Sequence, residues 1–379
     1  MAAFDFISEQ LHARKADDLL RQRVCVQNTT ARTLTVAGHS YLNFASNDYL
    51  GLGDSVAELK FAAASGAKSS ALVTGYQACH AELESYLCEL LGYEAAMLCN
   101  SGFGANVGVM KALFKDPKIA SSSAVFQDKL NHASLIDGSL DGGAKLERFN
   151  HNDIGHLRSR LEKSKAAHKL IVTEGVFSMD GDSAPLLEIH ALAKQHHAWL
   201  MVDDAHAFGV TGEHGLGSAQ SIKPEILVIT FGKAVGGQGA CILGSKMLID
   251  YLLQFNRDYI YSTAMSPLLA TVNLVQLKRL QAAEQERQSL HHNIKLFRDK
   301  MAAAGLALMP SNTAIQPLVL GSAENAMQAQ TKLKAKGIWL TAIRPPTVPF
   351  NTARLRITLT AKHQQQDIDT LVAALVEVL

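Results

Sequence analysis

Asp203 and Lys233 are the two side chains whose type and placement promise chemistry. Asp203 closes an apolar run, Leu200-Met201-Val202, and is followed by Asp204-Ala205-His206. Lys233 follows a second run, Ile226-Leu227-Val228-Ile229, through Thr230-Phe231-Gly232. Short apolar runs that end in polar residues read as buried parallel strands opening onto a site at their carboxyl ends. A lysine there, followed by Gly236-Gly237, sits where its amine can lose water, and a desolvated lysine is a usable nucleophile. An aspartate on a neighbouring strand end can hold a buried proton on a ring nitrogen. A Schiff-base lysine and a pyridinium partner are what pyridoxal phosphate requires. Each residue also has a plainer reading. Most lysines after strands are solvated, and Asp203-Asp204-Ala205-His206 suits an acidic metal site or a helix cap.

The elements that must position this pair repeat along the middle of the chain. Ala95–Cys99, Ser123–Phe126 and Leu170–Glu174 read as further short strands, with helical stretches such as Ala81–Leu91 and Leu186–His196 among them. Alternating units of this length argue for a mostly parallel, doubly wound sheet with function at the carboxyl ends. The polar residues closing these strands (Ser101, His132, Ser178, Asp203, His206, Thr230 and Lys233) are expected to converge on one crevice. Ser101-Gly102-Phe103-Gly104 follows a strand and opens a helix, a ready phosphate cradle. His132 suits either a helix cap or a ring stacked on a flat cofactor. Before this region, Phe4–Arg23 reads as a helix, Thr33–Gly38 as a strand and turn, and Tyr41–Phe44 as its partner. Ser46-Asn47-Asp48 suits a capped turn or, through Asn47, a substrate contact. After it, Leu268 to about Ala304 reads as a long helical connector. Strands Ala314–Leu320 and Leu355–Thr360 with helices Asn325–Lys336 and Gln366–Val378 make an α+β end. The organisation expected is 1–45 as an N-terminal helix and hairpin, 46–280 as a large α/β domain, and 281–379 as a small α+β domain. Arg356, inside a strand, needs an anionic partner, structural or substrate.

Composition excludes several classes. The 379 residues carry 36 basic and 35 acidic side chains and are 47% hydrophobic, enough for a large core and without the basic excess of a nucleic-acid binder. No apolar stretch reaches the ~18 residues of a membrane span, and the first residues, Met1-Ala2-Ala3-Phe4-Asp5, lack the layout of a signal peptide. Five scattered cysteines with no C-x-x-C pair suit reduced thiols in the cytoplasm.

Taken together, seven stretches resemble the α-oxoamine synthase family of fold-type I pyridoxal-phosphate enzymes. They are Tyr41–Gly51 (YLNFASNDYLG), Ser101–Asn106 (SGFGAN), Asn131–Leu135 (NHASL), Thr173–Leu187 (TEGVFSMDGDSAPLL), Val202–His206 (VDDAH), Thr230–Lys233 (TFGK) and Thr341–Thr360 (TAIRPPTVPFNTARLRITLT). The resemblance covers nearly the whole chain. It implies a mostly parallel central sheet, a smaller α+β C-terminal domain, a short N-terminal arm and a cytoplasmic homodimer with shared active sites. It implies that Lys233 bonds the cofactor's aldehyde, Asp203 pairs with the pyridine nitrogen, His206 bonds the phenolic oxygen and His132 stacks on the ring. Gly102, Phe103, Ser178 and Thr230 would hold the cofactor, and Ser262 and Thr263 the phosphate of the other subunit. Asn47 and Arg356 would face the amino acid, and Arg21 and Thr347 the acyl thioester. The TAIRPPTVP loop favours decarboxylating condensation of L-alanine with a pimeloyl thioester, carried by coenzyme A or by an acyl carrier protein as a transient partner. A sibling activity joining glycine to acetyl-CoA, a metal-dependent hydrolase built on Asp203, Asp204 and His206, and a non-catalytic subunit of the same fold are the alternatives. One stretch, Gly66–Tyr76, departs from the family: several glycines are replaced, so another loop path is expected there.

Overall fold

The computed structural model describes residues 4–17, 19–54 and 63–379. Met1–Ala3 of the leader reading and Asp18 of the expected N-terminal helix lie outside them. The chain divides into two compact units: Met1–Asp54 with Met179–Gly181 and Gln288–Leu379, and Ser55–Ser178 with Asp182–Arg287.

The second unit is built on a seven-stranded sheet. Its strands in chain order are β1 (Ala95–Cys99), β2 (Ser123–Asp128), β3 (Lys145–Phe149), β4 (His168–Glu174), β5 (Trp199–Asp203), β6 (Ile226–Thr230) and β7 (Ala240–Gly244). They lie in the order β1-β7-β6-β5-β4-β2-β3. All pairs are parallel except those of β7, which runs antiparallel to both β1 and β6. This is the mostly parallel central sheet that the sequence leads one to expect. β7 was not foreseen as a strand, nor was β3, whose Lys-Leu-Glu-Arg-Phe is largely half-exposed. Core side chains such as Met201, Val228 and Ile242 are 0% exposed; burying each stabilises the fold by about 1.5–3 kcal/mol. Ser101 caps the Gly102–Leu113 helix by accepting from Gly104 N at 3.0 Å. Ala71–Gly75 forms one wide turn of π type in the stretch that departs from the family.

A charged clamp ties three loops of this unit. His151 Nδ1 meets Asp128 Oδ1 at 3.0 Å and its Nε2 meets Asp182 Oδ2 at 2.7 Å. Burial pulls the imidazole pKa down, but the hydrogen bonds and charges of both carboxylates outweigh it and lift it from 6.5 to about 10. A folded pKa raised above the unfolded one gives stability that is complete below about pH 6.5 and fades as pH rises toward 10. The Tm gap between wild type and His151→Gln, read by calorimetry, is therefore expected to shrink from neutral to alkaline pH. A gap that stays constant would contradict the clamp.

In the first unit, Thr33–Val36 and His39–Asn43 form the expected hairpin. Its two-residue turn has positive φ at both positions (Ala37 +50°, Gly38 +78°), which matches the twist of paired strands. Ile338–Trp339 extends this sheet by pairing in parallel with His39–Asn43. A three-stranded sheet places Ala353–Thr358 between Ile315–Gly321 and Thr341–Ile343, flanked by helices Ala323–Ala335 and Gln365–Val378. The N-terminal helix spans Phe6–Ala16, not Phe4–Arg23. It buries none of its residues, so no packing extends it past Asp17. The long helical stretch is two helices, Pro267–Gln281 and Glu284–Ala303. No described helix is long and apolar enough to cross a membrane.

Candidate active site

β5 and β6 end side by side, register-locked at Asp203 and Val228. Their carboxyl ends open on a cavity of about 290 Å³. Lys233, Asp203, His132, His206, Thr230, Gly102 and Phe103 all line it. Ser178 does not appear in its wall. It is buried in the loop after β4, where its N–H donates to Glu174 Oε2 at 3.2 Å. Ser262 and Thr263 line a neighbouring cavity of about 240 Å³ with Tyr76, Glu84 and Tyr259, and the two cavities share Asn100 and Ser101.

Lys233 sits in a loop that joins β6 to the antiparallel β7. Phe231 N donates to Gly239 O at 2.9 Å, Gly237 N to Phe231 O at 2.7 Å and Gly236 N to Lys233 O at 2.9 Å. Gly239 has φ +104°, and a Cβ there would meet Met265 Cε at 2.5 Å, so the turn requires glycine. Gly102 is needed for space: a Cβ would lie 2.6 Å from Thr230 Cγ2.

Asp203 is 6% exposed. Its Oδ2 accepts from Asn106 Nδ2 at 2.7 Å and its Oδ1 from Ala205 N at 3.0 Å. Asp204, next along the chain, turns the other way: its carboxylate accepts from both the N–H and the hydroxyl of Ser218. Asp203, Asp204 and His206 therefore do not pool their ligands, and the metal-hydrolase alternative loses its site. His132 caps the Ala133–Gly142 helix, accepting from Ser134 N at 3.3 Å, and also faces the cavity. Burial lowers its pKa, Asp203 opposing and Lys233 adding to the fall.

Glu174 was read only as strand and proves to be part of the wall. It is 2% exposed and pairs in register with Asp203. Its Oε1 accepts from His132 N at 2.6 Å. Burial and then the charge of Asp203 push its carboxyl well above the usual range. A strand-end glutamate one strand from the aspartate was the available signal, but only the strand order makes them neighbours.

The first unit holds the remaining predicted residues. Arg356 is 7% exposed and donates to Asn47 Oδ1 at 3.2 Å and Thr358 Oγ1 at 3.0 Å. Arg354, two residues earlier in the same strand, pairs with Asp180. Asn47 is thus both part of the polar turn and an arginine contact. Arg21 and Thr347 are exposed.

The chain is 44% identical to a protein named 8-amino-7-oxononanoate synthase from Salmonella schwarzengrund (strain CVM19633), and equally to one of the same name from Salmonella typhi, over 97% of both chains in each case. Among solved structures it resembles 8-amino-7-oxononanoate synthase from Francisella tularensis, with a TM-score of 0.75, 30% identity and coverage of 89% of this chain and 97% of that one. It also resembles serine palmitoyltransferase from S. paucimobilis with a bound PLP–myriocin aldimine, with a TM-score of 0.89, 26% identity and coverage of 99% and 97%. A family model described as aminotransferase class I and II matches residues 39–375, nearly the whole chain, and the chain belongs to that family.

Proposed function

We propose that this chain is a pyridoxal-phosphate acyltransferase that condenses L-alanine with a pimeloyl thioester. The products are 8-amino-7-oxononanoate, carbon dioxide and the free thiol carrier, in the making of biotin. The observation that carries the reading is Lys233 and Asp203 in one cavity wall with a helix start. The choice of substrates rests on the likeness to proteins named for that product.

The residues fit the cofactor. The Thr230 hydroxyl is buried without a partner among the described residues. The first N–H groups of the Gly102–Leu113 helix lie outside its own ladder, which suits a phosphate. Bound here, pyridoxal phosphate supplies an electron-accepting ring for charge developing at the amino acid's Cα. With the cofactor bound, Lys233 would hold its aldehyde carbon, and its free amine would be the base for the amino acid's Cα proton. Asp203 would keep a proton on the ring nitrogen, His206 would bond the phenolic oxygen and His132 would cover the ring face. Gly102, Phe103, Ser178 and Thr230 complete the hold on the cofactor. Asn47 and Arg356 would face the amino acid, with Arg356 on its carboxylate, and Arg21 and Thr347 would contact the thioester.

The protein acts as a homodimer, with Ser262 and Thr263 reaching the phosphate held by the other subunit. Support comes from apolar side chains left to water near these residues, among them Val73 (73% exposed) and Tyr261 (71%). Five free thiols suit the cytoplasm.

The test is the visible spectrum of the protein with pyridoxal phosphate, followed by mass spectrometry of the products. A band that answers L-alanine, with 8-amino-7-oxononanoate formed from pimeloyl-CoA or its acyl-carrier-protein form, supports the reading. A response only to glycine with acetyl-CoA moves the function to the sibling activity. No band after reconstitution sinks the cofactor assignment. In Arg356→Lys, the loss of a two-pronged donor is expected to raise KM for alanine by roughly tenfold to a hundredfold, with kcat changed less. An unchanged KM would remove Arg356 from the carboxylate site.

A further inference from the structure

Two residues without a role so far, Asn106 and Ser134, lie in the wall of the Lys233 cavity at 1% and 0% exposure. Asn106 projects from the Gly102–Leu113 helix, and Ser134 is the second residue of the Ala133–Gly142 helix. Asn106 Nδ2 donates to Asp203 Oδ2 at 2.7 Å and to Ser134 Oγ at 2.9 Å. Ser134 Oγ lies 2.8 Å from His132 Nδ1. A continuous hydrogen-bonded chain therefore joins the carboxylate of Asp203 to the imidazole of His132.

The charged end sets the orientation of the amide beside it. A carboxylate only accepts, so Asn106 must turn its nitrogen and not its oxygen toward Asp203. The amide oxygen is left buried without a partner among the described residues, the cost of that orientation. The second amide hydrogen goes to Ser134 Oγ, whose own hydrogen is free to turn to Nδ1. The backbone makes Nδ1 an acceptor, because Ser134 N–H donates to it at 3.3 Å. A proton on Nδ1 would face both donors. With Nδ1 accepting, a neutral ring carries its proton on Nε2.

We infer that Asn106 and Ser134 are positioning residues that hold His132 as the Nε2–H tautomer, so that its ring offers the substrate a hydrogen-bond donor and not a base. The matching substrate group is an acceptor oxygen, carbonyl or carboxylate. The substrate side of this inference rests on the proposed function; the tautomer is a property of the chain itself.

Histidine-selective ¹⁵N labelling of the holoenzyme reads the tautomer, with the His132 pair assigned by its loss in His132→Asn. The expected result is an unprotonated Nδ1 and a protonated Nε2 in wild type. Ser134→Ala keeps the backbone N–H but loses the hydroxyl, so the Nε2–H preference should weaken, with a minor Nδ1–H form appearing, and kcat should fall by about tenfold to a hundredfold. The cofactor's visible band should persist there, since Lys233 and Asp203 are untouched. A wild-type ring protonated on Nδ1 overturns the inference, as does a Ser134→Ala protein that keeps both tautomer and kcat. The wild-type measurement needs no variant to fold. If wild type takes up no cofactor, the proposed function fails instead, and the same spectrum on the cofactor-free protein still decides the tautomer.

Discussion

Lys233→Ala is expected to lose turnover of L-alanine with a pimeloyl thioester by roughly 10⁴-fold or more, since in the proposed function one amine supplies both the covalent hold and the proton transfer. The loop itself should keep its path, so the variant should still fold. The side chain is half-buried and its loop is closed by backbone bonds of Phe231, Gly236 and Gly237 that do not involve the amine. Steady-state kinetics and a thermal melt check the two halves. A variant that keeps even a hundredth of wild-type activity would remove Lys233 from the chemistry. Lys233→Arg separates charge from nucleophilicity, because a guanidinium remains cationic and does not deprotonate. It should be as inactive as the alanine variant.

Asp203→Asn should lower kcat by about 10²–10³-fold, the usual cost of removing one preorganised charge from a buried site. Two effects add. An amide cannot hold a cation on the ring nitrogen as a carboxylate does. Its NH₂ group would also oppose that of Asn106, now 2.7 Å from Oδ2. Asn106 must then turn over, which breaks its link to Ser134. Asp203→Glu keeps the charge and misplaces it, so it should fall between wild type and the asparagine variant. Measured kcat values for the three proteins give the order, and an asparagine variant within threefold of wild type would contradict it.

The strand ends were legible because chemistry and periodicity coincide there. An apolar run followed at once by Asp203, or by Thr230 and Lys233, carries both signals in a few residues. The glycine at 102 was legible for a similar reason, as a strand-to-helix turn. What escaped depends on strand order. Glu174 and Asp203 are partners only because β4 and β5 are neighbours in the sheet, and no local pattern states that. Asn106 and Ser134 meet because their two helices pack together, and an isolated asparagine in an apolar helix reads as nothing in particular. β7 was missed because Ala240–Gly244 is five residues with no alternation, too short to separate from a loop by period. The N-terminal helix was overextended because Leu19 and Leu20 fit its period while no burial repaid the extra turn. The break between Gln281 and Glu284 carries neither glycine nor proline.

The closed loop between β6 and β7 also sets a timescale. Its backbone is pinned at Phe231, Gly237 and Gly239, so the Cα of Lys233 is a fixed pivot and the reactive amine moves on its own four-carbon stem. On the roles proposed for it, passing from covalent anchor to proton acceptor would then be a change of rotamer and not a loop rearrangement of microseconds or longer. The two duties proposed for the lysine would need no backbone motion between them.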